Sequence, residues 1–393
     1  MNLQVDKWHR KIIKRDISNK RWFSLLLCIL LTLGIYGCRS TQKSNEKEIN
    51  IAVLGDSAWL TSDKTFLNGV QLALEEVNSK YGAQGFTIKT KLVDDKDVYE
   101  NGVEEAIKLA KDSKVTAILN TQNFDVSKTT ADILSESKKI VLFPYGAYDS
   151  IFLKSNPYLF CTVPAFSDLG KVMADYAVNK GYKRIAIYYN GKQSQEELVT
   201  ALELQLSNKG SKVMDYVPAI TSESEFDLIY SRWKTIGVDC VVISQYGADR
   251  AFEILKMLRS RDSNIAVMGE PIFNGAKALK DNISIAEGMV VPSTVDIENS
   301  KGYNEFMQKY KARFKEDGDI WAIQGYDMVK LIVDKAAELG TNDPVKIANS
   351  MHDKKGYDGT VRKISFESGG AMILDTNKLP MLKCVNGQFV AIN

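Results

Sequence analysis

The sequence predicts an α/β protein made of two doubly wound lobes. Three observations lead there. Short apolar runs that end in polar or glycine-bearing loops alternate with segments whose apolar residues recur at three- and four-residue spacings. This alternation runs from Asn50 almost to the C-terminus. The chain also reads as crossing between the two lobes three times, near Tyr158–Val163, near Met289–Thr294 and after Phe366, which makes a hinge rather than a loose linker.

Before Asn50 the chain is of another kind. Residues 1–37 hold seven Lys/Arg and two Asp, then the apolar run Trp22–Leu33 and the sequence Ile35-Tyr36-Gly37-Cys38. A basic start, an apolar middle and a small residue before a cut describe a secretory signal. The pattern resembles the bacterial lipoprotein signal, which implies that Cys38 becomes the lipidated first residue. The alternative is an uncleaved membrane anchor, for which the apolar run is short. Either reading exports the remainder, at the cell surface or in a periplasm. Residues 38–49 are polar and aperiodic, a flexible tether.

Charge follows the same division. The chain carries +2 overall, residues 1–37 carry +5, and the body is therefore mildly acidic at −3. That balance argues against nucleic acid as a partner. Of five cysteines, Cys161, Cys240 and Cys384 lie in the body, each in an apolar, strand-like run. One disulfide plus a free thiol is open to them, beside three buried thiols. With only His9 and His352 in the chain, neither a His-based triad nor a zinc site is supported.

The body opens with the strand Asn50–Leu54, the loop Gly55–Trp59, and a long helix through Phe66, Val70, Leu74 and Val77. Phe86–Val93 alternates apolar and polar residues, as an outer strand would. Asp94-Asp95 closes it, and Glu100–Lys111 is helical. The stretch Val115–Asp149 is the clearest βαβ unit: strand Val115–Leu119, polar loop Asn120–Asp125, a helix opening at Ser127, strand Ile140–Phe143, and the loop Pro144–Tyr148. In open parallel sheets ligands bind beyond the carboxyl ends of the strands. The two loops of this unit carry amides, hydroxyls and aromatics, with no acid–base pair, metal cluster or phosphate-cradling glycine loop, so they suit recognition rather than catalysis.

The second lobe alternates in the same way: strands at Arg184–Tyr189, Lys212–Val217, Asp239–Ser244 and Ile265–Met268, with helices between. Helices over Tyr303–Phe314 and Ile320–Leu339 then return to the first lobe, and the chain ends in a hairpin turned at Asn386-Gly387. The lobes are thus expected at 50–162 with 295–366, and at 163–294 with 367–393. The acid pairs Glu75-Glu76 and Asp94-Asp95 read as solvated faces and caps. No motif supports an enzyme or a cofactor.

The order of elements, with Asn68-Gly69, Glu75-Glu76-Val77-Asn78 and Asp94-Asp95 followed by the Val115 unit and later Gly325-Tyr326-Asp327, resembles the type I periplasmic binding proteins, specifically the branched-chain amino-acid binding group. The likeness spans Asn50 to Asn393. It implies two hinged lobes in a Venus-flytrap arrangement, a monomeric solute receptor, and an ABC permease as partner. A surface-anchored sensor or scavenger of the same fold is the alternative. The resemblance implies that the loop after the third strand holds a ligand carboxylate. Here Asn123 stands where the family commonly has Ser, and Tyr145 and Ala147 stand where it has small or hydroxyl residues, so a branched-chain ligand is not assured. Trp59, Tyr145, Tyr148 and Tyr246 all follow strand ends and could wall in a solute. The resemblance also places Tyr246 and Glu270 on the second lobe against the ligand, with Glu270 near the acid that receives its ammonium group. An amino acid or a small amine or amide is the expected solute.

Overall fold

The computed structural model describes residues 46–146, 149–152, 155–189, 193–218, 220, 222–245, 247–295 and 301–392. Those from Lys47 onward form one compact unit. Cys38 and the segment before it lie outside the described residues, as do Ala147, Tyr148 and Tyr246.

The first lobe runs β1 (Lys47–Gly55), α1 (Ser57–Asp63), α2 (Thr65–Tyr81), β2 (Phe86–Asp94), α3 (Tyr99–Lys111), β3 (Val115–Asn120), α4 (Phe124–Glu136), β4 (Ile140–Phe143), α5 (Asp149–Phe152) and β5 (Leu159–Cys161). The five strands make a parallel sheet in the order β2-β1-β3-β4-β5. Both faces are covered, so alternate residues of β1 enter different cores. Ile49, Ile51 and Val53 pack with Phe66, Val70 and Val77 of α2. Ala52 and Leu54 pack with Leu109 of α3 and Phe124 and Leu134 of α4.

The second lobe follows with α6 (Phe166–Asn179), β6 (Arg184–Tyr189), α7 (Gln193–Asn208), β7 (Lys212–Val217), α8 (Glu223–Thr235), β8 (Cys240–Ser244), α9 (Ala248–Arg261), β9 (Ala266–Gly269), the short helices α10 (Ala276–Lys280) and α11 (Ile283–Ala286), and β10 (Val290–Pro292). The chain then returns to the first core through α12 (Lys301–Phe314), α13 (Ile320–Leu339), α14 (Pro344–Met351) and the small pair β11 (Tyr357–Asp358) and β12 (Lys363–Ile364). The final hairpin, β13 (Met381–Val385) and β14 (Gln388–Ile392), completes a seven-stranded sheet in the order β14-β13-β10-β9-β8-β6-β7. Its two last strands are antiparallel. Asn386 and Gly387 both take positive φ, 52° and 76°, as the two-residue turn requires.

The long helix α13 has the predicted limits, and all three body cysteines are buried and unpaired. Two local differences matter. Helix α4 begins at Phe124, not at Ser127: Asn123 takes the extended cap conformation, and the amides of Val126 and Ser127 already donate to its carbonyl. The polar look of Asn120–Asp125 concealed the buried pair Phe124 and Val126. The loop expected after β1 is instead the short helix α1, started by Asp56, whose Oδ1 accepts from the amides of Ala58 and Trp59.

Candidate functional site

A cavity of about 310 Å³ opens between the carboxyl ends of the parallel strands of the two sheets. The first lobe brings α1, the loops after β2, β3 and β4, and the start of α13 to it. Asp56 caps the start of α1, which carries Trp59 and ends in Asp63. Asp95 and Asp97 follow β2, Thr121–Asn123 follow β3, and Tyr145 follows β4. The second lobe brings Gln195 from α7, Gln245 from the end of β8, and Glu270 from the end of β9.

Trp59, Tyr145 and Trp321 form an aromatic wall. Tyr145 lies edge-on to both indoles, with ring centroids 5.3 Å from Trp59 and 5.1 Å from Trp321. Phe66 backs Tyr145 from the core at 5.4 Å. Trp321 is placed by the start of α13, where Asp319 Oδ1 accepts from the amides of Trp321 and Ala322. Trp59 keeps 47% of its surface exposed, so this wall is open to a solute.

Polar contacts bridge the lobes on both flanks of the cleft. Glu197 of α7 accepts from the amides of Asp149 and Ser150 at 2.8 and 3.2 Å. On the other flank the Ala276 amide donates to Asp319 Oδ2 at 3.1 Å, and Lys277 Nζ donates to Ser62.

The sequence profile of the periplasmic binding proteins matches residues 48–377. This chain belongs to the periplasmic binding protein family. It is a type I member related to the branched-chain amino-acid binding group. A Leu/Ile/Val-binding protein homolog of Brucella abortus is 24% identical over 310 residues, which cover 77% of this chain and 81% of the relative. An ABC transporter substrate-binding protein from Desulfitobacterium hafniense, solved in complex with Leu, superposes with a TM-score of 0.78 at 22% identity, covering 88% of this chain and 100% of that one. An ABC transporter solute-binding protein from R. palustris, solved in complex with benzoate, has a TM-score of 0.73 at 16% identity, covering 88% and 95%.

In this periplasmic binding protein, the cavity collects Trp59, Asn123, Tyr145 and Glu270 of the residues singled out from the sequence. Tyr148, Ala147 and Tyr246 lie outside the described residues. Asn123 faces the cavity, yet its side-chain amide donates to Asp97. Glu270 is only 7% exposed and accepts from Ser244 Oγ at 2.5 Å. Burial without a cation pushes its carboxyl up to about 7. Sequence reasoning treated Asp94-Asp95 as a cap. Asp94 does accept from the Ser57 and Lys96 amides, but Asp95 turns inward and is only 2% exposed. Trp321, Asp56, Asp63, Asp97 and Gln195 were not anticipated. The Asp319 cap ahead of an aromatic was the available signal for Trp321; nothing local marked the others.

Proposed function

We propose that this protein is the extracytoplasmic solute receptor of an ABC importer, taking an amino acid or a related small amine or amide between its lobes and closing on it. One observation carries the reading: a single cavity draws recognition groups from both lobes, Trp59, Asn123 and Tyr145 from one and Glu270 from the other. A solute held by both sides favours the closed arrangement over the open one, and hinged lobes convert that preference into a shape that a membrane partner can read. The lobes are proposed at 50–162 with 295–366, and at 163–294 with 367–393, with β1 extending the first back to Lys47. The basic and apolar character of residues 1–37 supports a lipid on Cys38. The tether to the membrane ends at Glu46, because residues 47–49, expected within it, instead open β1, where pairing with β2 and burial of Ile49 fix them. The same reading makes the protein a monomer without a cofactor, in contact with its ABC permease when loaded. Ala147, Tyr148 and Tyr246 are proposed as further contacts on the rim. A thermal-shift screen of amino acids, amines and amides tests it: a bound solute raises the melting temperature and compacts the protein in small-angle scattering. A protein that responds to no member of such a library is not a solute receptor of this kind.

A further inference from the structure

Among the described residues the cavity is lined by five carboxylates, Asp56, Asp63, Asp95, Asp97 and Glu270, and by no Lys, Arg or His. Each acid is bonded to uncharged donors. Asp56 takes two amides, and Asp63 takes the Thr65 amide and hydroxyl. Asp95 takes the Asp97 amide, Asp97 takes the Asn123 side chain, and Glu270 takes Ser244 Oγ. Among the described residues none of the five has an ion-pair partner. Asp95 is accordingly held above the usual carboxylate range, by burial first and then also by the negative charges of Asp97 and Asp56.

The loop that would hold a ligand's carboxylate is occupied from within. The Thr121 amide and hydroxyl both donate to the Leu54 carbonyl, at 2.8 and 2.9 Å. The Gln122 amide donates to Asn120 Oδ1 at 3.0 Å, and the Asn123 side chain serves Asp97. An incoming anion would meet these committed donors with two acids beside them. The buried Gln122 Nε2, without a hydrogen-bond partner among the described residues, sits near Asp95, whose charge it favours. The opposite demand is visible on the second lobe. Gln195, 2% exposed, has its Oε1 buried at the cavity with no hydrogen-bond partner among the described residues. A buried acceptor without a donor asks for one from the ligand. The Trp59–Tyr145–Trp321 wall suits a cation as well, because ring faces attract positive charge. Among the described residues no group of acids is arranged to hold a metal ion. The negative charge is instead distributed along the cleft, on both lobes.

Building on the receptor reading above, we infer that the solute is an organic amine of net positive charge that carries no carboxylate. Di- and polyamines fit best, with one ammonium among the first-lobe aspartates and another at Glu270. Closure then brings opposite charges together instead of pressing Glu270 toward unneutralised acids.

Calorimetric titration of the purified full chain with putrescine, spermidine, L-leucine and benzoate tests the inference. A diamine or triamine should bind, with L-leucine and benzoate weaker by about a hundredfold or more. Asp97→Asn and Glu270→Gln, both near-isosteric, should each lower amine affinity by about tenfold or more without lowering the melting temperature. Tight binding of L-leucine or benzoate with no response to the amines would overturn the cationic assignment and leave the receptor reading standing. So would amine binding that neither variant weakens. Failure of all four probes and of the wider solute library would remove the receptor reading itself.

Discussion

Lys277 Nζ sits 2.8 Å from Ser62 Oγ and 3.2 Å from the Ser62 carbonyl, joining a second-lobe helix to a first-lobe helix at the mouth of the cleft. Both residues are exposed, so the contact contributes little to folding, about 0–1 kcal/mol. It exists only while the lobes are together, so all of that small energy biases closure. Lys277→Ala should leave the denaturation midpoint unchanged, weaken solute binding by about two- to fivefold, and enlarge the ligand-free protein in small-angle scattering. Unchanged dimensions and affinity would show that Lys277 does not bear on closure.

Gly69 of α2 and Gly325 of α13 let the two helices touch through their backbones. A Cβ on Gly69 would stand 2.0 Å from the Ala322 carbonyl oxygen, and one on Gly325 would stand 2.4 Å from that of Phe66. Neither neighbour is a flexible side chain that could move aside. Gly69→Ala or Gly325→Ala should therefore destabilise the fold by about 1–3 kcal/mol or more despite alanine's better helix propensity. Urea unfolding measures it. A gain in stability would mean that the helices can separate freely.

That packing explains what was legible in the sequence. Most of the segments that carried the family likeness turn out to be structural, Asp95 in the cavity being the exception. Asn78 bonds both the amide and the carbonyl of Ile88, fixing α2 to β2. Glu76 accepts from the Tyr326 hydroxyl, and buried Asp327 accepts from the amide and hydroxyl of Thr360. Helix periods and strand runs were readable because burial on both sheet faces imposes them. The cleft was only half readable. Trp59, Tyr145 and Glu270 could be found because they follow strand ends, and strand ends converge in this fold. Asp95, Asp97 and Trp321 could not, since whether an acid after a strand caps a turn or enters a cleft depends on one backbone rotation. Lys96 and Asp97 make that rotation, both with positive φ.

The aromatic wall should be felt in binding more than in stability. Trp59 is half-exposed, so Trp59→Ala removes little core contact, but it strips Tyr145 of one edge-on partner. Solute affinity should fall by about tenfold, given roughly 0.5–1.5 kcal/mol for each aromatic contact and further area lost. Trp59→Phe should restore most of it. An equal loss in both variants would mean that the indole N–H, not the ring face, makes the contact.

The proposed lipid on Cys38 has a direct readout. Cys38→Ser should move the protein from the membrane fraction to the soluble one without altering solute affinity, because Cys38 lies outside the unit that forms the cleft. A Cys38→Ser protein that stays with membranes would favour an uncleaved apolar anchor.

Glu270 makes a pH-dependent prediction whose sign follows from its surroundings. Its carboxyl is held at about 7, above the usual value of 4.5, because burial beside a single Ser244 hydroxyl disfavours the charge. Among the described residues the other charged groups lining the cavity are acids, Asp56, Asp63, Asp95 and Asp97, so none of these compensates it. The folded state therefore keeps a proton that the unfolded state has lost. Stability is present in full below about 4.5 and falls as pH rises through about 7. Glu270→Gln removes the charge and should stabilise the empty protein at about pH 8, on the order of 1–3 kcal/mol, with almost no difference at about pH 4. Binding should run the other way. An ammonium-bearing solute needs the ionised form, so its affinity for the native protein should rise as pH climbs through about 7, and the rise should be missing in Glu270→Gln. Melting curves and titrations at the two pH values measure both arms. A variant with native stability at both, and with the native pH dependence of binding, would take Glu270 out of the site.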